Sequence, residues 1–305
     1  MSDPPLEDAG AAWMALMRRG EWGAAWALSD AALAARSGRR DWTLPRHLQP
    51  VWDGTPLAGR RVLVRCYHGL GDTIQFIRFV PALQAIAREV TVWAQPMLIP
   101  LLATLRPAPR LLPLHDGTPE AEYDTDIEIM ELAHALRVTP ATLPASMPYL
   151  HPPVRGCGPE GGLSVGLAWR AGEWDPRRSV PLQLLRPLAE IPGVTLHILQ
   201  RGAALAEHPE GFGILSGSDD PLEAAIRMRA LDLLVSVDSM PAHLAGALGV
   251  PTWLLLARDA DWRWMEGRDD SPWYPTMRLF RQVRRGAWEE PVARLVLALK
   301  DLAGA

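Results

Sequence analysis

Three stretches of this 305-residue chain gather residue types that can do chemistry. The first, Arg61 to Leu83 (RVLVRCYHGLGDTIQFIRFVPAL), reads as a buried strand, a turn carrying Gly69 and Gly71, and a helix with Asp72 in its first turn. A strand that feeds a glycine turn into a helix brings backbone N–H groups, a helix N-terminus and a carboxylate to the carboxyl edge of a sheet. Asp72 has two readings. It is half of a capping box with Gln75, or it is a general base that takes the proton of an attacking hydroxyl. The helix dipole favours its ionised form, which keeps it available and lowers its basicity. His68 stands just before the turn. A dinucleotide fingerprint fails here, because Ile74 occupies the third glycine position and Val92 to Pro96 supplies no acid for a ribose.

The second stretch, Leu231 to Pro251, reads as a buried strand ending at Asp238, then Ser239 as cap, Met240 and Pro241 in a first turn, and Gly249 at the helix end. Its free amides suit a phosphate, as the ends of many helices do. His243, one turn in, is a phosphate or sugar contact or a satisfied core histidine. The third, Ser164 to Leu182, places Trp169 and Arg170 after a strand, with Arg177 and Arg178 further along the same loop and Ser179 as cap of the next helix. Guanidinium groups suit bidentate contact with a diphosphate, and a solvated arginine loop is the alternative. Gln200 follows another strand end. An aromatic loop from Asp259 to Phe280 holds Trp262, Trp264, Trp273 and Tyr274, which either wall a sugar or base pocket or pack a domain junction. Asp124-Thr125-Asp126 has the form of a metal-binding pair, but its place in a strand-like alternation reads as chance.

The elements that must position these groups follow a βαβ rhythm. Strands are expected at Val62 to Cys66, Val90 to Ala94, Leu111 to Leu114 and Thr125 to Met130. A second series is expected at Ser164 to Trp169, Val194 to Leu199, Leu231 to Val237 and Thr252 to Leu256. Helical patterns run from Thr73 to Ala87, Leu182 to Glu190, Leu222 to Arg229, Ala242 to Leu248 and Trp288 to Leu302. Ahead of them, Ala11 to Arg36 reads as a helical hairpin broken at Gly20. It resembles one tetratricopeptide repeat, with no second copy at a matching period. The Pro-rich segment Ser37 to Arg60 is a linker, and the Pro/Gly-dense segment Pro140 to Gly162 is the connection between two α/β domains.

Composition narrows the classes. The net charge of -4 argues against a nucleic-acid binder. Cys66 and Cys157 fit no metal-ligand or disulfide spacing. No signal peptide or roughly 18-residue apolar run is visible, so a cytoplasmic protein without a transmembrane segment is expected. Thirteen tryptophans against four Phe and four Tyr are sugar-stacking surfaces or, more commonly, core.

Taken together, GLGDTIQFIRFVPAL, VGLAWR, RRSVPL, DLLVSVDSMPAHLAGALGVPTWLLL and DWRWMEGRDDSPWYPTMRLFRQ resemble the glycosyltransferase region of bacterial tetratricopeptide-repeat proteins. That region is similar to the ADP-heptose:lipopolysaccharide heptosyltransferases and, more distantly, to O-linked N-acetylglucosamine transferases. The resemblance runs from about Trp52 to Trp288. It implies an α/β GT-B fold of two Rossmann-like domains facing a cleft: a helical extension over 1–50, an acceptor domain over 51–155 and a nucleotide-sugar domain over 156–305. It also implies inverting, metal-independent transfer to a hydroxyl of a glycan, lipid-linked or protein acceptor, with no cofactor beyond the donor. Asp72 is then the implied base. Gly69, Gly71, Trp169, Arg170, Arg177, Arg178, Ser179, Gln200, Asp238, Ser239, Met240 and His243 fall to the donor and its phosphates, and His68, Gln75, Trp262 and Trp264 to the acceptor or sugar pocket. The chain departs from those relatives at Tyr67-His68, where Glu-Gln is common, and after VGLAW, where Arg177 or Arg178 takes the place of a lysine. The other class is a non-catalytic scaffold of this shape that binds a partner through its N-terminal helices.

Overall fold

A computed structural model describes residues 6–154, 161–173 and 175–304. Cys157 and the expected domain boundary at 155/156 lie outside the described residues. By contacts the chain resolves into two units, residues 1–145 with 261–266 and residues 146–260 with 267–305.

The first unit opens with α1 (Leu6–Arg19) and α2 (Trp22–Arg36). Met17, Trp22, Ala25 and Trp26 bury the inner face of this pair. Trp26 Nε1 donates to the Val138 carbonyl at 2.6 Å, and Trp13 meets Trp262 edge-on with centroids 5.4 Å apart. A helical pair too short to be stable in water is thereby held by indole packing within its own unit.

The sheet of this unit is wholly parallel, with order β3-β2-β1-β4: β1 (Arg61–Arg65), β2 (Glu89–Ala94), β3 (Arg110–Pro113) and β4 (Thr125–Glu128). Central β1 carries the continuous apolar run Val62-Leu63-Val64 because both its faces are covered. Its register sets Arg65 opposite Glu128 of β4. The helix expected over Thr73 to Ala87 is instead α3 (Leu70–Phe76), a 3₁₀ turn (Ile77–Phe79) and α4 (Val80–Ile86). Pro81 is the reason, since it lacks the N–H that an unbroken helix would need and crowds the preceding turn. Two short helices complete the unit, α5 (Ile99–Leu102) and α6 (Leu132–Ala135). The linker is tied down by charge: Arg40 lies 2.6 Å from Asp126, which also accepts from Arg65 Nε at 2.7 Å. Asp124 pairs with Arg61 at 2.9 Å. Both acids of the DTD motif are therefore spent on structural arginines.

The second unit holds six parallel strands in the order β10-β9-β8-β5-β6-β7. They are β5 (Leu163–Ala168), β6 (Val194–Ile198), β7 (Ile214–Leu215), β8 (Leu233–Val237), β9 (Thr252–Leu256) and β10 (Met277–Arg281). Around them lie α7 (Leu182–Leu185), α8 (Pro221–Met228), α9 (Met240–Leu248) and α10 (Glu289–Ala303). Val292, Leu295 and Leu299 of α10 join the core built on β5, β6 and β8. Gly249 closes α9 in the left-handed region, φ 72°, as a C-terminal glycine does. Two strands went unforeseen: β7 is only two residues long, and β10, at the sheet edge, is short and carries Arg278 and Arg281 among its apolar residues. No helix among the described residues is long and apolar enough to cross a membrane.

Candidate functional site

Each sheet has one place where the strand order reverses, and side chains that can do chemistry collect there. In an open parallel sheet, loops leaving the carboxyl ends on either side of that point diverge and open a crevice.

In the first unit the point lies between β1 and β4. The chain leaving β1 runs through Tyr67 and His68 into Gly69, the N-cap of α3, while β4 ends at Glu128. Because Arg65 and Glu128 are paired in register, three further residues bring His68 over the end of β4. His68 Nδ1 lies 2.9 Å from Glu128 Oε1. Glu128 is 2% exposed and fixed by its neighbours: Oε1 accepts from the Tyr67 N–H at 3.2 Å and Oε2 from the Met130 N–H at 2.6 Å. Burial alone would lower the His68 pKa, but the hydrogen bond and charge of Glu128, helped by Asp72, outweigh it and the net shift is upward.

Asp72 does not cap with Gln75. Its own Oδ2 reaches back to the Gly69 N–H at 3.0 Å, and its Oδ1 accepts from Arg263 Nη2 at 2.5 Å. Gly69 has no side chain to cap with, so the carboxylate at the third helical position does the work alone. Gln75 is fully buried, and its amide atoms have no partner among the described residues. It faces the interior rather than a pocket.

His68 and Glu128 line a cavity of about 610 Å³ together with Glu131, His134, Arg36 and the indoles of Trp13, Trp26, Trp52 and Trp262. Trp264 is not on this surface; it is fully buried, as are Trp273 and Tyr274. Glu131 Oε2 accepts from the N–H groups of Trp52 (2.8 Å), Glu128 (3.0 Å) and Val51 (3.3 Å). Burial pushes its pKa up to about 7 despite those donors, with the charge of Glu128 pushing the same way. Glu128, Glu131 and Arg263 escaped the sequence reading. The two acids sit in DIEIMELAHA, where alternation reads as strand, and Arg263 is remote in sequence from Asp72, the acid it meets.

In the second unit the order reverses between β5 and β8. A cavity of about 270 Å³ lies there. Arg170, Gln200 and Arg201 enter from the ends of β5 and β6, Ser216 to Ser218 follow β7, and Ser239 to Pro241 begin α9. Leu199, Met228 and Leu244 give it an apolar floor. Gln200 organises the rim: Oε1 accepts the N–H groups of Trp169 (3.1 Å) and Arg170 (2.9 Å), and Nε2 donates to the Arg201 carbonyl (3.1 Å). An apolar floor flanked by hydroxyls, cations and a helix N-terminus is the composition that a nucleoside phosphate requires.

Several expected roles change here. Ser239 does not cap α9, because its hydroxyl donates to the Val237 carbonyl at 3.1 Å. Ser179 caps no helix either; its Oγ accepts from the Ala171 N–H at 3.1 Å and pins the loop. The three arginines do not converge. Arg170 pairs with Glu207, Arg177 is exposed and pairs with Asp175 at 2.8 Å, and Arg178 Nη1 donates to the Asp238 carbonyl at 2.8 Å. Arg177 and Ser179 line a separate cavity of about 240 Å³. His243 is a core histidine, 5% exposed, with Nδ1 3.0 Å from the Tyr274 hydroxyl and Nε2 3.8 Å from Asp238. Trp169 is fully buried, its indole N–H donating to Glu207 at 3.2 Å. Arg170, Gln200, Ser239 and Met240 are thus the expected donor residues that share one cavity. Among the described residues no group of three or more His, Cys, Asp or Glu is placed to hold a metal ion.

No protein-family model matches the chain. Protein FlbA of Caulobacter vibrioides is 28% identical to it over 295 aligned residues, which cover 83% of this chain and 48% of that protein. The chain therefore spans about half the length of the curated relative it matches. Among solved structures it is similar to a glycosyl transferase family 9 protein from Veillonella parvula, with TM-score 0.55 and 14% identity over 82% of this chain and 98% of that one. It is similar also to the E. coli ADP-heptose LPS heptosyltransferase II, with TM-score 0.56 and 15% identity over 80% and 98%. A third, the E. coli heptosyltransferase WaaC with ADP, gives TM-score 0.50 and 15% identity over 80% and 99%. At such identities the likeness is one of fold: the chain has the α/β parallel-sheet fold of these glycosyltransferases.

Proposed function

We propose that the chain is an inverting glycosyltransferase of the GT-B kind, moving a sugar from a nucleotide-sugar donor to an acceptor hydroxyl. One observation carries this reading: in a chain with the fold of known glycosyltransferases, each parallel sheet has at its reversal point a largely apolar cavity into which a few polar side chains converge. The 270 Å³ cavity of the second unit suits the donor nucleotide, with Arg170, Arg201 and the start of α9 offsetting the charge of the departing phosphate. The indole-lined cavity of the first unit suits a hydroxyl-bearing acceptor, whether glycan, lipid-linked sugar or protein. Asp72, the base implied by the resemblance, lies in the same unit. The reaction asks for no metal in this reading, because protein cations and helix amides meet the leaving group.

The test is a panel of nucleotides and nucleotide sugars with two readouts, binding and donor turnover. A true donor nucleotide raises the melting temperature by mass action, about 2.7 kcal/mol of stabilisation at 100 times its Kd. Asp72→Asn is expected to lower turnover while nucleotide affinity stays within about twofold, because Asp72 does not belong to the unit that would hold the nucleotide. Equal turnover by the variant removes Asp72 from the mechanism. A second reading, a non-catalytic scaffold, is favoured by the ion pair that already occupies Asp72. Lack of response to every nucleotide would select it.

A further inference from the structure

Resting on that transferase reading, we propose that the acceptor's proton is taken by His68, oriented by Glu128, and that Asp72 serves chiefly as the counter-ion that positions Arg263.

Three observations carry this. Asp72 has a guanidinium on one oxygen and a backbone N–H on the other, and it does not line the cavity. Both carboxylate oxygens are therefore already engaged as acceptors, one by a guanidinium and one by the backbone. His68 does line the cavity and keeps 27% of its side-chain surface. Its Nδ1 is buried 2.9 Å from Glu128 Oε1 with no other partner, and among the described residues no hydrogen bond engages Nε2. A carboxylate on Nδ1 holds the proton there, leaves Nε2 with its lone pair and stabilises the imidazolium that forms. Glu128 ends β4, and His68 follows β1 by three residues in the short turn that leads to α3, so the register of two adjacent strands sets where the two meet.

The step balances. The acceptor O–H bond breaks as its proton passes to His68 Nε2, and the oxygen forms a bond to the anomeric carbon. The bond from that carbon to the phosphate oxygen breaks, and its electron pair leaves with the nucleotide. His68 then returns its proton to solvent. Glu128 is a positioning residue throughout.

The groups facing His68 are Glu128 from β4, Asp72 from α3 and Arg263 from the 261–266 segment; Glu131 and Arg36 share the cavity wall. The two nearest acids hold its pKa above the ordinary value, so the limb on which the basic form, and with it turnover, rises with pH is displaced upward from that of a free imidazole.

The experiment uses the full chain, the donor found by the panel, and two variants, His68→Gln and Glu128→Gln. Turnover is followed against pH, and the ring nitrogens of His68 are titrated by ¹⁵N NMR. His68→Gln is expected to lose about 100-fold or more in turnover with the rising pH limb abolished. Glu128→Gln is expected to move that limb to lower pH and to reduce its height. Urea unfolding of both variants with wild-type midpoints, together with unchanged nucleotide binding by the second unit, shows that they fold. NMR should find the wild-type ring protonated at Nδ1, titrating above the ordinary value and shifting down in Glu128→Gln. Retention of most activity in His68→Gln, or an unmoved pH limb, overturns the proposal. A wild type that turns over no donor overturns the transferase reading instead, and with it the proton transfer, while the NMR titration still decides whether the dyad exists.

Discussion

Glu131 offers the sharpest thermodynamic test of how the first unit is held. Its Oε2 gathers three backbone N–H groups, two from the linker at Val51 and Trp52 and one from the end of β4, so it fastens the linker to the sheet. Arg36 stands 3.8 Å from its other oxygen, and 24% of the Glu131 side chain is exposed. Burial and the Glu128 charge favour the neutral acid, while the N–H donors and Arg36 favour the ion. Burial wins, raising the pKa from 4.5 to about 7. Below pH 4.5 the native and unfolded chains both carry the proton and the residue adds no slope. Between 4.5 and 7 the native chain holds a proton that the unfolded chain has released, so stability falls as pH rises. Above 7 both are ionised and the slope ends. At 1.36 kcal/mol per pH unit the fall amounts to about 3 kcal/mol. Glu131→Gln resembles the protonated acid and keeps the three N–H bonds, so it should match the wild type at low pH and exceed it by about 3 kcal/mol near pH 8. Urea unfolding of both proteins from pH 4.5 to 8, read as their difference, isolates this group. A flat difference, or a wild type that gains on the variant as pH rises, would show that Arg36 controls Glu131 and that the reasoning from burial is wrong.

The second unit supplies two further tests. Gln200→Leu removes the acceptor for the Trp169 and Arg170 amides, and should cost about 2 kcal/mol or more in stability and weaken nucleotide binding; titration calorimetry alongside urea unfolding would show either effect failing. Gly246→Ala places a Cβ 2.2 Å from the Tyr274 ring, which is fully buried and bonded to His243, so a loss of about 1 to 3 kcal/mol is expected; an unchanged melting temperature would mean that Tyr274 is free to move.

What the sequence made legible was whatever depends on near neighbours in the chain. The run Val62-Leu63-Val64 could only be a strand covered on both faces, and GLGD only a strand-to-helix turn, because both signals are complete within a few residues. The α3–α4 break was legible in principle at Pro81, but the apolar period on either side of it hid the interruption. The capping assignments failed for a different reason. Ser179 and Ser239 stand where a cap belongs, yet each hydroxyl found a closer carbonyl or amide, a choice decided by loop geometry that spacing does not carry. The arginines show the same limit at longer range. Three cations within nine residues look like one phosphate clamp, but Glu207, Asp175 and Asp238 claim them separately.

The site itself turns on registry between distant segments. His68 and Glu128 are 60 residues apart and mean nothing together until β1 and β4 pair with Arg65 opposite Glu128. The same pairing sets a strand order whose reversal opens the crevice. The geometry that makes the dyad and the geometry that makes its cavity are therefore one consequence of a single register, since a slip of one residue would turn Glu128 to the other face of the sheet and leave His68 without its partner.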